Sequence, residues 1–313
     1  MKAIVLTKAG GPENLHLAEV EKPSIKENEV LVAVKAISLN PADVKPKYAD
    51  KMLDSMYGKN RPVILGWDIA GTVTEAGTAV TDFKVGDTVF GMVNFPGAGK
   101  AYAEFVAAPE AHLAIMPSNV SFIEAAATTL AALTALQILE GKINKGDKVL
   151  IQAGSGGVGH FAIQIAKSFG AYVIATASAK NKDFVLSIGA DEAIDYHTQK
   201  FEEILSDIDF VLDTQGGQVL VNSTKVLKDG GTVITTFGMD MPEEAKAIAE
   251  KENKTVSNIL VHSSAKDMNT LKGMLESGAI KPNIYKTFAF EDMADAHREV
   301  EKGRTVGKVI VTL

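Results

Sequence analysis

The chain is most constrained by one segment, Lys148-Val-Leu-Ile-Gln-Ala-Gly154-Ser155-Gly156-Gly157-Val158-Gly159. An apolar run of strand character, Lys148–Ala153, leads into the glycines. His160-Phe-Ala-Ile-Gln-Ile-Ala-Lys167 continues as a helix, Val158–Phe169, closed by Gly170. The strand Tyr172–Thr176 follows, so the glycines sit inside a strand–helix–strand unit. A lone G-x-G-x-x-G pattern is weak evidence, but this context gives it meaning. Backbone without side chains approaches a pyrophosphate closely, and a helix start offers unpaired N–H groups with a partial positive charge. Gly154, Ser155, Gly156, Gly157, Val158 and Gly159 therefore read as a dinucleotide-binding turn. A glycine-rich connection without a ligand is the plain alternative.

The end of the next strand bears on which dinucleotide. An NAD site usually places Asp or Glu about twenty residues after the glycines, to hold the ribose 2′-hydroxyl. Here the stretch is Thr176-Ala-Ser178-Ala-Lys180-Asn-Lys182, with no acid before Asp183. A hydroxyl and two ammonium groups would bind a 2′-phosphate that a carboxylate would repel. The pattern favours NADPH (NADP+), although loop lysines are also common as plain solvated residues.

Around this unit the sequence has two textures. Up to about Pro117, short β-rich runs (Lys2–Leu6, Glu29–Ile37, Ile69–Thr74, Asp87–Val93, Tyr102–Ala107) alternate with Gly and Pro, which indicates a mostly antiparallel barrel or sandwich. From about Ser118 a helix over Glu124–Leu139 is expected, opened by Ser121 with Glu124 as capping-box partner. Buried strands at Lys148–Ala153, Tyr172–Thr176, Ala193–Tyr196, Phe210–Asp213, Thr232–Phe237 and Val256–Val261 then alternate with helices. That is a doubly wound parallel sheet. A closing strand, Lys308–Leu313, reads as a return to the first domain. The expected boundaries are 1–120 with 266–313 for the β-rich domain, and 121–265 for the dinucleotide domain.

Composition removes several chemistries. The 313 residues contain no cysteine, which excludes disulfides, thiolate nucleophiles and Cys-ligated zinc or iron–sulfur clusters, and fits a reducing compartment. Net charge is −7, so no basic nucleic-acid footprint is expected. No apolar run reaches the ~20 residues of a membrane helix, and the N-terminal run is too short for a signal-peptide core. A cytoplasmic location with no membrane partner is expected. The six histidines (His16, His112, His160, His197, His262, His297) show no i, i+3 or i, i+4 pairing, so no metal site is expected.

Further motifs carry a family resemblance. They are Met1-Lys-Ala-Ile-Val, Ile37-Ser-Leu-Asn40-Pro41-Ala-Asp43, Leu65-Gly66-Trp67-Asp68-Ile-Ala-Gly71, Val85-Gly86-Asp87, Ala126-Ala-Thr128-Thr129-Leu-Ala-Ala-Leu-Thr134, Gly189-Ala-Asp191 and Gly303-Arg304-Thr-Val-Gly307-Lys308-Val. With the glycine turn, they resemble the medium-chain dehydrogenase/reductase superfamily over essentially the whole chain. The branch they are similar to is the zinc-independent quinone oxidoreductases and enone reductases. Zinc-dependent relatives carry a ligand Cys where this sequence has Asn40, and Gly-His-Glu where it has Gly66-Trp67-Asp68.

The resemblance implies a GroES-like β-barrel catalytic domain plus a Rossmann cofactor domain. It also implies NADPH without zinc, a quinone or enone substrate, and a homodimer joined through an edge strand at Asn258–Val261. By the same resemblance Thr134, Ser178, Lys182, Tyr196, the loop Phe237-Gly238-Met239 and Lys308 contact the cofactor. The segment Tyr48–Arg61 departs from the family pattern and should border the substrate mouth.

Hydride transfer to a conjugated acceptor leaves charge on its oxygen, and without a metal that charge needs hydrogen-bond donors or a cation. Asn40 and Lys45, in Asn40-Pro-Ala-Asp-Val-Lys45, are the candidate catalytic residues. Asn40 could equally shape a turn, and Lys45 could be a solvated lysine. Two functions remain open: an NADPH-dependent reductase of quinones or enones, or an NADPH-binding protein of this type with a mainly binding or scaffolding role.

Overall fold

The computed structural model describes residues 1–237 and 241–313. Its contacts divide the chain into two compact units, Met1–Leu133 with Val261–Leu313, and Thr134–Leu260.

The first unit is β-rich because its strands carry apolar residues at alternating or continuous positions. Glu29–Leu39 is buried at nearly every residue, and it organises the sheet. The order is Ile284–Ala289, Lys308–Thr312, Glu29–Leu39, Asp68–Ala76, Thr88–Met92, Leu113–Ile115. One side of Glu29–Leu39 pairs along Asp68–Ala76. The other side is shared, with Phe105–Pro109 antiparallel to Glu29–Ala33 and Lys308–Thr312 antiparallel to Ala36–Leu39. A smaller antiparallel sheet joins Leu15–Glu19, Lys2–Leu6 and Val63–Ile64. Ile4, Leu6, Val32, Ile37, Ile69 and Val309 lie in one continuous core. Burial of such side chains contributes roughly 1.5–3 kcal/mol each. This is the GroES-like barrel architecture expected from the sequence.

Two local expectations differ. The helix expected over Glu124–Leu139 is two helices, Phe122–Ala127 and Leu130–Leu139. Between them the Thr128 and Thr129 hydroxyls donate back to the Glu124 and Ala126 carbonyls, and Asp68 accepts from the Leu130 N–H. The Ser121–Glu124 capping box forms at the start of the first helix. That helix packs on Glu29–Leu39, Asp68–Ala76 and Lys308–Thr312, so the barrel unit extends past residue 120 to Leu133. The strand expected at Tyr102–Ala107 lies at Phe105–Pro109, where it pairs with Glu29–Leu39.

The second unit is a six-stranded parallel sheet. Counted along the chain, its strands stand third, second, first, fourth, fifth, sixth: Glu192–Asp195, Tyr172–Ala177, Lys148–Ile151, Ile208–Asp213, Leu227–Thr235, Thr255–Asn258. This is the doubly wound order, in which ligands bind beyond the carboxyl ends of the strands where the order reverses. Leu150, Ile174, Val211 and Val233 fill its core. The edge strand is Thr255–Asn258. It starts and stops earlier than the expected Val256–Val261, and of the expected edge Asn258–Val261 only Asn258 lies in the strand.

Candidate functional site

In the α/β unit, the chain leaves Lys148–Ile151 and turns at Ala153, whose φ of 53° is left-handed. That conformation is uncommon outside glycine, and Thr176 of the next strand holds it. The Thr176 hydroxyl accepts from the Ala153 N–H at 2.9 Å and donates to the Gln152 carboxamide oxygen at 2.8 Å. The Gly154 N–H donates to the Thr176 carbonyl at 2.8 Å. The Gln152 carboxamide is fixed in turn by donating to the Ser223 hydroxyl.

The glycines have distinct reasons for lacking a side chain. A Cβ on Gly159 would lie 2.3 Å from the Ala153 carbonyl oxygen, and one on Gly154 would lie 2.8 Å from the Ala175 Cβ. At Gly156 only the Ala153 carbonyl oxygen is near, at 3.2 Å. A single backbone atom is the near neighbour there, and the turn is partly exposed on that face. Ser155, Gly156, Gly157 and Val158 are all partly exposed, at the start of the ten-residue helix Gly159–Ser168. The buried His160 folds its Nδ1–H back onto the Gly156 carbonyl at 2.9 Å, which bolts the helix to the turn.

Beyond the second strand, Ser178 is 8% exposed and its carbonyl accepts from the Asn181 N–H. Asn181 then donates from its side chain to the Ser155 hydroxyl at 3.1 Å, joining this loop to the glycine turn. Lys180 and Lys182 are exposed. Lys167 and Lys200 of the same unit are ion-paired with Asp191 and Glu203, whereas Lys180 and Lys182 meet no carboxylate within 4.0 Å among the described residues. Tyr196 is 55% exposed, and its N–H donates to the Ala177 carbonyl, next to Ser178.

Phe237, 43% exposed, lies by Gly216 at the end of the fifth strand. Asp213 shapes that corner by accepting from the Gln215 and Gly216 N–H groups and the Thr235 hydroxyl. Gly238 and Met239 lie outside the described residues. Thr134 is buried at 5% exposure in the helix Leu130–Leu139. The structure thus brings together the glycine turn, Ser178, Lys182 and Tyr196. Gln152, Thr176, Asn181 and Asp213, which fix their geometry, carry no motif signal in the sequence.

In the barrel unit the polar residues form a second, buried cluster. Register carries it: Val309 pairs with Leu39, which sets Lys308 beside Asn40. The Lys308 ammonium donates to the Leu39 carbonyl at 3.0 Å and makes a short hydrogen bond to the Asn40 carboxamide oxygen. The Asn40 Nδ2 donates to Asp68 at 2.8 Å, and its backbone N–H donates to Asp43 at 2.6 Å. Asp68 also accepts from the Leu130 N–H. Asn40 is 1% exposed and Lys308 3%. Burial, and then the charge of Asp68, pushes the Asp43 carboxyl up from 3.8 to about 8. Burial also raises Asp68 and lowers the Lys308 ammonium. The Tyr102 hydroxyl shares a hydrogen with the His297 Nε2 at 3.0 Å, and burial takes His297 down to about 3.

Both ends of the Asn40 carboxamide are therefore committed inside the unit. Lys45 sits exposed at the end of the short helix Pro41–Val44, and none of the hydrogen bonds described for the cluster comes from it. Lys308 lies in the barrel unit with Asn40. Asn40, Trp67 and Asp68, the positions where the family resemblance would put zinc ligands, are an amide, an indole that donates to the Gly97 carbonyl, and a carboxylate. Among the described residues no group of three or more His, Cys, Asp or Glu could hold a metal ion. No helix is long and apolar enough to cross a membrane.

Known proteins resemble the chain throughout. Residues 26–118 match the alcohol dehydrogenase GroES-like domain and residues 188–311 the zinc-binding dehydrogenase family. The 2-methylene-furan-3-one reductase of Solanum lycopersicum is 36% identical, over 99% of this chain and 79% of its own length. The chloroplastic NADPH-dependent alkenal/one oxidoreductase of Arabidopsis thaliana is 35% identical with the same coverage. Among solved structures, the quinone oxidoreductase from Coxiella burnetii superposes with a TM-score of 0.93 at 33% identity, covering 100% of this chain and 99% of that one.

Proposed function

From the premise that this chain belongs to the quinone oxidoreductase and enone reductase branch of the medium-chain dehydrogenase/reductase family, we propose that it is an NADPH-dependent reductase of quinones or α,β-unsaturated carbonyl compounds. The observation that carries the reading is the glycine turn with its following loop. The turn is partly exposed from Ser155 to Val158, with only one protein atom near a Cβ at Gly156, and basic residues follow the second strand where an NAD site would place an acid.

When bound, NADPH supplies a hydride. The amides of Gly154, Ser155, Gly156, Gly157, Val158 and Gly159 would hold its pyrophosphate, helped by the positive end of the helix dipole. Ser178 and Lys182 would hold the 2′-phosphate, with Tyr196 flanking the adenine side. Thr134 and Phe237 are proposed as further cofactor contacts, Gly238 with them. Asn40 serves through the groups it fixes, Lys308 and Asp68, rather than as a free donor. Lys45, exposed at its helix end, is proposed as a residue of the acceptor side of the barrel unit.

The chemistry is proposed to run without zinc. An amide and an indole at Asn40 and Trp67 are poor ligands for it, and a lysine ammonium occupies the neighbourhood. Conjugated acceptors suit such a site because conjugation already spreads the developing charge. A homodimer through the edge strand Thr255–Asn258 belongs to the same proposal, and sedimentation as a monomer at micromolar concentration would count against it. So does a cytoplasmic location, which the lack of cysteine suits. The test is the loss of reduced-nicotinamide absorbance with a panel of enones and quinones. Turnover with at least one is expected; tight NADPH binding with no turnover on any acceptor would favour the scaffolding role instead.

A further inference from the structure

The strand Phe105–Pro109 has an open edge. Among the described residues its only strand partner is Glu29–Leu39. The Val34 N–H donates to the Glu104 carbonyl, and the Glu110 N–H to the Asn28 carbonyl. The hydrogen-bonded pairs of this antiparallel ladder therefore fall at Val32 with Val106 and at Val30 with Ala108. The amide groups of Phe105 and Ala107 point to the other side. There the strand Lys2–Leu6 runs alongside only up to Glu104, whose N–H donates to the Lys2 carbonyl at 3.0 Å. Past Glu104, residues Phe105, Val106 and Ala107 border a cleft of about 620 Å³ whose other walls include segments 20–26 and 94–100. The cleft lies wholly within the barrel unit. Its rim is basic: Lys22, Lys26 and Lys100 are exposed there, against Glu21 and the buried Glu29, in a chain of net charge −7. Lys22 pairs with Glu75 at 2.8 Å and stands 4.5 Å over the Phe105 ring, and Lys26 pairs with Glu29 at 3.4 Å. Lys100, held in a left-handed conformation with φ 55°, meets no carboxylate within 4.0 Å among the described residues.

We propose that this edge is a docking site for an extended acidic segment of a partner protein, which adds as a further strand beside Phe105–Ala107. The proposal does not depend on the reductase reading. Strand addition supplies what the edge lacks, partners for the N–H and C=O groups of Phe105 and Ala107. A compact anion would satisfy a lysine and leave those backbone groups unpaired. Pro109 has no N–H to donate, so it ends the edge and limits the added strand to a short one. A cleft of this volume holds such a segment. Main-chain bonds would fix the register, while carboxylates on alternate residues of the incoming strand would meet the lysine rim, Lys100 first. Folds commonly blunt a free edge with lysine and proline; here the same lysines also select the charge of what can pair.

The probe is a short fluorescein-labelled peptide of alternating valine and glutamate, titrated with the full-length protein by fluorescence anisotropy, beside a valine–lysine peptide of the same length. Saturable binding of the acidic peptide below about 1 mM is expected, with none of the basic one. Hydrogen exchange should show the Ala107 amide becoming protected as the acidic peptide binds. Ala107→Pro removes that N–H but leaves the ladder bonds of Val106 and Ala108, so it should keep a Tm near wild type and weaken binding at least about tenfold. Lys100→Asn removes the charge with a residue that tolerates the left-handed backbone, and should weaken binding about two- to fivefold. Absence of saturable binding, equal binding of the basic peptide, or an Ala107 amide that exchanges no more slowly in the complex would each overturn the proposal. Protection of that amide that grows with protein concentration before any peptide is added would give the edge to a second copy of this chain, and also overturns it. The wild-type exchange measurement decides even if the proline variant does not fold.

Discussion

The glycine turn makes a prediction in which neighbouring Gly→Ala substitutions separate binding from folding. At Gly159 an added Cβ meets only backbone, 2.3 Å from the Ala153 oxygen and 2.8 Å from the Gly154 Cα. Backbone cannot rotate away as a side chain can, so the turn must open. Overpacking of this kind costs about 1–3 kcal/mol and sometimes more. At Gly156 the same methyl has a single neighbour at 3.2 Å and projects toward the space assigned to the pyrophosphate. That contact is tight, so the Ala153 carbonyl must shift by a few tenths of an ångström, a smaller cost than at Gly159. Pushing the pyrophosphate away from one amide removes a charge-assisted hydrogen bond of about 1.5–3 kcal/mol, which is roughly 10- to 100-fold in affinity. Thermal melting without cofactor and titration with NADPH give the two readouts. Gly156→Ala should lower Tm less than Gly159→Ala does, while losing affinity out of proportion to that loss. Unchanged NADPH affinity in Gly156→Ala would refute the assignment of the turn.

Other perturbations probe the remaining parts of the site. Lys182→Ala should raise KM for NADPH far more than for NADH; equal effects would show that the side chain does not touch the 2′-phosphate. Asp43 binds its proton more tightly folded than unfolded, with its carboxyl near 8 instead of 3.8. It therefore takes stability away as pH climbs from about 4 to 8. Asp43→Asn keeps an acceptor for the Asn40 N–H, so the stability of the variant relative to wild type should rise across that window in denaturant melts, and a flat difference would contradict the shift. Asp68→Asn sets an NH2 group against the Asn40 Nδ2 or withdraws the acceptor from the Leu130 N–H. A buried donor left unsatisfied costs about 1–3 kcal/mol, so a loss of that size should appear in the denaturant midpoint, and an unchanged midpoint would show that these hydrogen bonds do not hold the cluster.

What could be read in the sequence was what local chemistry decides. Gly154 to Gly159, their flanking strand and helix, and the Ser121–Glu124 cap depend on neighbours within a few positions, and the structure shows them formed. The barrel cluster depends on distance. Asn40 meets Asp68 across 28 positions and Lys308 across 268, so no spacing rule could pair them. Lys45 drew notice by standing five positions after Asn40, yet a helical turn carries it outward while sheet register delivers Lys308. The break between Phe122–Ala127 and Leu130–Leu139 was hidden for a related reason. Ala- and Leu-rich composition favours one helix, and a carboxylate from a distant strand takes the Leu130 N–H.

The strand Glu29–Leu39 pairs with segments from both ends of the sequence, and its half beyond Ala36 waits for Lys308–Thr312. During synthesis all strands of the parallel sheet of residues 148–258 are made some fifty residues before that partner. A nascent chain can thus own a finished nucleotide fold while its barrel stays unsealed and its buried ammonium is still missing. Making that strand is the step that completes the Asn40–Lys308 cluster, so a chain cut short of Lys308 would keep its parallel sheet and leave the barrel open.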